Sequence, residues 1–255
     1  MAIKEVFQNP TVKEVAFEIR YPSLFYLENN IGDFQIKIMK EFPESAILFR
    51  RQIVFADVGP DGKFKNVPDT LEKQASTKIW QFISPQEIKI NITSSSLAIS
   101  SQHHKTYNLD EGGDKFRDTI QYITERFFEV MKIPIIKRLG LRYVDECPLF
   151  DKTNESFLKY YNSSFPLSRF KIEDANEMSF ITVAKRGTHF IRFIESLKQV
   201  GDNYKLILDF DGYAEKLTPE DYLSVTDSLH SIISDEFENS IKEELKTFMR
   251  SSRSK

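Results

Sequence analysis

The chain has 255 residues, of which 40% are hydrophobic and 22 are phenylalanine, so it has ample material for a folded core. This length allows one large domain or two packed halves and excludes three domains. The 9 glycines are about half the usual share, which argues against nucleotide sites built on glycine-rich loops. The formal net charge of −3 excludes a surface that attracts phosphate backbones as a whole.

Strand and helix patterns alternate through the first half of the chain. The odd-numbered residues from Val15 to Tyr21 are apolar, as in a strand with one buried face, and apolar positions recur every three or four residues over 27–42, as in an amphipathic helix. The further predicted elements are a strand at 47–57, a turn at 58–62, a loop at 63–77, strands at 78–83, 87–93 and 96–101, a helix at 116–130 and a strand at 135–146.

The second half repeats this succession, with predicted strands at 177–185, 189–195 and 204–211. Thr218 as N-cap and Pro219 as first helical residue mark a helix start, and the apolar positions behind them predict one long helix over 222–248. The chain is therefore predicted to be α+β, with an antiparallel-rich curved sheet packed on two long helices. The pattern favours a duplicated helix-on-sheet unit, although no residue-level repeat accompanies it.

We expect a single α+β domain over residues 1–250, or two closely packed halves at 1–150 and 151–250, with a flexible tail at 251–255. The single cysteine, Cys147, excludes an internal disulfide and fits a reducing compartment. Neither a secretory signal nor a membrane span is predicted, because no long apolar stretch occurs. The expected location is the cytoplasm, and no cofactor is expected.

Arginines fall repeatedly on the predicted strands and their turns, and this feature favours nucleic acid. On a sheet face they can line a groove, although strand arginines also pair with acids across a sheet, here Glu14, Glu18 or Asp145. The arginines are Arg20, Arg50, Arg51, Arg138, Arg142, Arg186 and Arg192. The aromatic residues near them in sequence that would supply stacking are Tyr21, Phe49, Tyr143 and Phe193.

Two of these arginines, Arg138 and Arg142, flank Gly140 on the polar face of one predicted strand. A glycine inside a strand clears space above it, so a ligand or another backbone can approach closely there. The pattern predicts a site for an anionic ligand, with Arg20 as a further member. The alternative is that a bulky aromatic side chain covers Gly140 and that the arginines pair with nearby acids, Glu18 or Glu146.

Asp209 and Asp211 are the candidates for a metal site. They lie two residues apart on a predicted strand and so share its polar face, where they could bind a cation with Glu195 from the neighbouring strand. The alternative is a solvated strand end, because two carboxylates alone do not complete a site.

Asp69, Glu87 and Lys89 have the outline of a metal-dependent nuclease site. Acid-x-Lys triplets also arise by chance in a chain with this many charges, and Asp69 falls in a polar loop. His103 and His104 are adjacent, so their side chains point apart in extended chain and do not chelate jointly.

His230 lies among apolar residues of the last predicted helix, where either a satisfied, partly buried histidine or a general base is possible. Cys147, which precedes Pro148, lacks the surroundings of a nucleophile.

Three blocks carry a resemblance to a known family. Residues 9–22, which read NPTVKEVAFEIRYP, resemble the opening signature of a sporadically distributed family of uncharacterised prokaryotic proteins. Residues 138–143, RLGLRY, are similar to its central strand motif, although Asp145 stands where that family has Asn, and residues 229–249 are similar to its C-terminal helix. The resemblance implies a shared fold along nearly the whole chain but no activity or catalytic residue. The patchy distribution of the family implies, by association, a mobile or defence-related gene.

Together these patterns predict a non-enzymatic binding or interaction protein whose partner is a protein or a small anionic ligand. The alternative is a nucleic-acid-binding protein or a metal-dependent nuclease. A contiguous arginine face supports the second hypothesis, and an apolar groove or paired interface supports the first.

Overall fold

A computed structural model describes residues 5–50 and 77–251 of the chain, which there form nine strands and five helices. The strands are β1 (Val12–Arg20), β2 (Glu44–Arg50), β3 (Thr77–Ile83), β4 (Lys89–Thr93), β5 (Ser96–Ser101), β6 (Ile136–Pro148), β7 (Met178–Arg186), β8 (His189–Val200) and β9 (Asn203–Leu217). The helices are α1 (Leu27–Ile38), α2 (Phe116–Val130), α3 (Asn154–Tyr160), α4 (Tyr222–Ser240) and α5 (Glu243–Arg250). The predicted turn at 58–62, Asp69 and Arg51 lie outside the described residues.

All nine strands join one antiparallel sheet in the order β2-β3-β4-β5-β1-β6-β9-β8-β7. The two central strands, β1 and β6, pair with each other, and each pairs on its other side with the last strand before a long helix, β5 or β9. The predicted α+β class and antiparallel sheet are therefore confirmed, while the predicted curvature stays a prediction.

One face of the sheet builds the hydrophobic core. Phe17 of β1 and Leu141 of β6 are fully buried on it, and they share one core cluster with buried residues of α1, α2 and α4. Phe127 of α2 packs edge-on against Phe34 of α1, with ring centroids 5.6 Å apart. We call this the helix face. None of the described helices is long and apolar enough to cross a membrane.

The residues that alternate with these core positions point to the opposite face, which we call the open face. Side-chain exposure is 55% for Arg20 of β1 and 49% for Arg142 of β6, although both belong to the two central strands of the sheet. Such exposure at the centre of a wide sheet shows that this face is accessible to a ligand.

Helix α4 packs closely on β9 because a glycine faces it. A Cβ atom at Gly212 would lie 3.2 Å from Cδ1 of Ile233 and 3.5 Å from Cβ of Leu229, two buried residues of α4. The absence of a side chain at this position thus lets the helix approach the strand and fixes the distance between them.

The long helix expected over 222–248 is two helices, so the expectation of two long helices is not confirmed. Ile241 is extended, with φ −119° and ψ 156°, and forms an antiparallel bridge with Tyr161. The backbone amide of Lys242 donates to the carbonyl oxygen of Tyr160 at 2.8 Å, and that of Asn162 donates to the carbonyl oxygen of Ser240 at 3.0 Å. Tertiary hydrogen bonds to the chain at the end of α3, which the sequence did not predict, replace the helical ones here.

Candidate functional site

A depression of about 460 Å³ lies over the centre of the open face. Small residues of adjacent strands leave this space, because Ala98 of β5 and Gly140 of β6 flank Glu18 of β1 in the strand register. In the next row of the sheet, Ala16 lies between Ser100 and Arg142. Short side chains between longer charged ones therefore shape the depression.

The structure brings all of the predicted ligand residues to this one depression, which Arg20, Arg138, Gly140 and Arg142 line together. Arg192 of β8 and Asp211 of β9 also line it, directly opposite each other in the register. Four strands supply these residues: β1 and β6 from the first half of the chain, and β8 and β9 from the second. Only the long-range pairing of β1, β6, β9 and β8 places them together.

The space directly above Gly140 is filled by a neighbouring side chain of the same strand. The guanidinium of Arg138 lies over this glycine, and a Cβ atom would come within 2.6 Å of its Nη1. Nη2 of Arg138 donates to both carboxylate oxygens of Asp211 at 2.7 and 3.0 Å, while Nη1 lies 3.4 Å from Oε2 of Glu18. The ring of Tyr213, 4.7 Å from the guanidinium carbon, completes this enclosure.

Arg142 forms a bidentate ion pair with Asp209, because its Nε and Nη2 each donate to one carboxylate oxygen at 2.7 Å. In the register Arg142 is opposite Asp211, so its side chain reaches diagonally across the strands to Asp209. This paired geometry is the strong form of arginine–carboxylate recognition. The Asp209 carboxylate raises the pKa of Arg142 and keeps it charged.

The two carboxylates predicted to bind a metal instead form ion pairs with arginines, Asp209 with Arg142 and Asp211 with Arg138. Glu195, the expected third ligand, lies on the helix face, where it is buried and accepts hydrogen bonds from Ser163 Oγ at 2.5 Å and Ser164 N at 2.9 Å. Within 5–50 and 77–251, no group of three or more His, Cys, Asp or Glu is arranged to hold a metal ion.

Arg192 differs from the other arginines of the depression in its lack of an acidic partner among the described residues. It is half-buried, and it forms no hydrogen bond or ion pair with any residue in the described part of the chain. Arg20, by contrast, binds Oε2 of Glu18 through its Nε at 2.8 Å. Among the described residues, Arg20, Arg138 and Arg142 thus each form an ion pair with a carboxylate, whereas Arg192 forms none.

The other strand arginines lie elsewhere. Arg50 is on β2, at the edge of the sheet, and Arg186 binds Glu236 of α4 at 2.8 Å. The aromatic residues expected to stack near the arginines do not do so. Tyr21 is buried, Phe193 stacks on Phe210 in the core with centroids 4.9 Å apart, Tyr143 contacts His230 on the helix face, and Phe49 is exposed on β2.

The side chains of the adjacent histidines do not point apart as expected, because their rings meet edge to face with centroids 5.5 Å apart, but they have different hydrogen-bond partners. His103 lies 3.2 Å from Asp114, while the ring of His104 is bound by Ser101 Oγ at 2.8 Å and Thr119 Oγ1 at 3.1 Å. Burial lowers the pKa of His104 to about 4, so it is neutral at physiological pH. These contacts are those of a structural residue that joins β5 to α2.

Comparison of the chain with protein-family models, with curated proteins and with solved structures finds no match in any of the three. The family resemblance of the three sequence blocks stays a prediction. The candidate site therefore depends on geometry alone.

Proposed function

We propose that the protein is a binding protein that takes a small anionic ligand, such as one bearing a phosphate, sulfate or carboxylate group, in the depression of the open face. The observation that carries this proposal is Arg192, a half-buried guanidinium with no acidic partner among the described residues, beside three further arginines. A guanidinium presents a planar fork of donors that matches such anions.

The paired arginines support the same ligand class. Arg142 uses only Nε and Nη2 for Asp209, and Arg20 uses only Nε for Glu18, so each keeps further N–H donors that can turn toward the depression. Their carboxylate partners hold the side chains in place, which reduces the entropy lost when a ligand binds. An anion here would be bound by Arg192 and oriented by its neighbours.

Binding is favoured over catalysis by the chemistry of the lining. The described residues around the depression include neither a histidine nor a cysteine, and the Asp211 carboxylate is bound to Arg138. A proton acceptor with a pKa near 7 or an activated nucleophile would need a different environment.

The predicted duplication of a helix-on-sheet unit also supports a site over the central strands. We infer that the sheet derives from two copies of one unit, because the succession from β1 to α2 resembles that from β6 to α4 and the sheet order is nearly symmetric about β1 and β6. The depression lies over this central pair, at the junction of the two halves.

Nucleic acid remains the second candidate function, and the cluster of arginines on one face is the observation that favours it. Two observations favour the small ligand instead: the depression is confined to about 460 Å³, and the aromatic residues expected for base stacking are not beside the arginines. Exposed Ile181 and Val183 next to Arg192 and Ile194 also make the β7 side of the face apolar.

The test is calorimetric titration with pyrophosphate and with a single-stranded 12-nucleotide DNA. We expect pyrophosphate to bind the wild-type protein. Its affinity for Arg192→Gln should be at least tenfold lower, which corresponds to a loss of about 1.4 kcal/mol in binding free energy. Arg186→Gln, which removes an arginine paired elsewhere, is the matched control and should bind as the wild type does. Absence of pyrophosphate binding, or equal binding by both variants, contradicts the proposal. Tighter, steeply salt-dependent binding of the oligonucleotide supports the nucleic-acid function.

A further inference from the structure

A second cavity of about 120 Å³ lies on the helix face, between the N-terminal segment, β6 and α4. Phe7, Val12 and Phe237 line it with apolar surface. The N-terminal segment is held over it because the amide of Asn9 donates to the carbonyl oxygen of Met249 at 2.9 Å. This cavity is separate from the depression, since the sheet stands between them.

Asp145 of β6 is a buried carboxyl group in the wall of this cavity. Its hydrogen-bond partner is Thr11, whose Oγ1 donates to Oδ1 at 2.8 Å, and no lysine or arginine of the described chain forms an ion pair with it. Lys105, at the same cavity, donates to the carbonyl oxygen of Gln102 at 3.0 Å. A buried carboxylate without a positive partner is costly, so the site is suited to a ligand that brings one.

Two further polar groups of the wall have unused hydrogen-bonding capacity. The hydroxyl of Tyr143 is buried and finds no partner among the described residues. The ring of His230 stacks on Tyr107, with centroids 4.1 Å apart, and its nitrogens bind no described side chain or backbone group. Burial lowers the pKa of His230 to about 4, so the ring is neutral and one nitrogen is an acceptor.

We propose that this cavity binds the ammonium head of a short primary amine. A primary ammonium has three N–H donors, and three residues that line the cavity each carry an acceptor: Asp145 its carboxylate, Tyr143 its hydroxyl oxygen and His230 a ring nitrogen. The apolar lining then takes the alkyl part. Because a cavity of about 150 Å³ holds benzene, a ligand of about five non-hydrogen atoms fits here.

The test is titration with n-butylammonium and with n-butanol, which have the same length and differ in charge. At pH 8 the wild-type protein should bind butylammonium at least tenfold more tightly than butanol, and Asp145→Asn should lose this preference. Glu195→Gln is the matched control, because it removes another buried carboxyl group of the helix face that lies outside the cavity. It should keep the wild-type preference.

Three results would overturn the proposal: no butylammonium binding at concentrations on the order of 50 mM, equal binding of butanol, or a preference that survives in Asp145→Asn. If Asp145→Asn does not fold, Tyr143→Phe serves in its place, since it deletes one acceptor and should weaken butylammonium binding about tenfold. Pyrophosphate binding should be unchanged in either variant, so the two proposed sites can fail independently.

Discussion

At the scale of single residues, the two arginines of β6 combine a structural role with the proposed one. Arg138 and Arg142 each pair with a carboxylate of β9, and the side chain of Asp209 is only 12% exposed. Removing one partner of such a pair leaves the other charge poorly solvated. These arginines are therefore unsuitable as first probes of binding, and Arg192, which has no such partner among the described residues, is the better one.

Arg142→Gln should lower the free energy of unfolding by about 1–3 kcal/mol, because it leaves the Asp209 carboxylate without its bidentate partner. Arg20→Gln is the control, since Arg20 is 55% exposed and its ion pair with Glu18 should contribute less than about 1 kcal/mol. Urea denaturation of both variants checks this. An equal decrease in the free energy of unfolding of the two variants would show that the Arg142–Asp209 pair stabilises the protein no more than an exposed ion pair does.

Asp145 should give stability an unusual dependence on pH. Burial raises its pKa from 3.8 to about 7 in the folded protein, so the stability it contributes is complete below pH 4 and is lost as the pH rises through 7. The stability of the wild type minus that of Asp145→Asn should therefore fall between pH 4 and 8, by on the order of 4 kcal/mol. The other titratable groups at the cavity, which both proteins share, are Glu5, Lys105, Tyr107, Tyr143 and His230.

Denaturant unfolding at several pH values measures this difference. A difference that stays constant with pH would show that Asp145 is not buried as the structure has it. His104 and His230 have lowered pKa values and act in the opposite sense, so they cost stability as the pH falls from 6.5 to 4 in both proteins.

The position of Asp145 could be read from the sequence in part. It continues the buried alternation of Leu139, Leu141 and Tyr143, which places a carboxyl group on the core side of its strand. The same alternation shows that Asp145 cannot pair with the arginines, which lie on the opposite face. The expectation that Asp145 is one of their acidic partners is therefore wrong. The cavity could not be predicted, because α4 and the N-terminal segment that complete it are distant in sequence.

At the scale of elements, the contact between α4 and β9 positions residues of both proposed sites, because β9 carries Asp209 and Asp211 on one face and supports α4 with His230 on the other. Gly212 lets the two elements approach. The distance between helix and strand is thus controlled by a position without a side chain.

Gly212→Ala should destabilise the protein by about 1–3 kcal/mol, because the added methyl group would meet Ile233 at 3.2 Å in a packed core. Gly32→Ala is the matched control. Nothing lies within 4 Å of the Cβ position at Gly32, which is inside α1, so alanine should stabilise the helix there by about 0.5–1 kcal/mol. Thermal unfolding of the two variants should show shifts of opposite sign, and shifts of the same sign would contradict this packing.

Local sequence patterns predicted most helices and strands, but not the ends that are set by tertiary contacts. Helix α2 occupies 116–130, as its apolar period predicts. The apolar period of α4 continues beyond Ser240, but the helix ends there and Ile241 is extended. The bridge from Ile241 to Tyr161 causes this break, and it joins residues 80 positions apart. Periodicity cannot detect such contacts. Glu195 shows the same limit, because its face depends on the register between β8 and β9.

At the scale of the whole molecule, the sheet separates two different surfaces. The helix face is filled with aromatic and aliphatic side chains, and the open face carries arginines and carboxylates over the two central strands. The sequence alone predicted Arg20, Arg138, Gly140 and Arg142 as one site. It did not predict their pairing with Asp209 and Asp211, because ion pairs 67 and 73 residues apart depend on the register of β6 with β9.

The most direct test of the proposed anion site is an NMR titration that follows the Nε–Hε signals of the arginine side chains as pyrophosphate is added. We expect saturable shifts for Arg192 and Arg142. The signals of Arg117 and Arg186, which bind Asp227 and Glu236 elsewhere, should not change. Uniform small shifts of all arginines, or an Arg192 signal that does not move, would contradict an anion site in the depression of the open face.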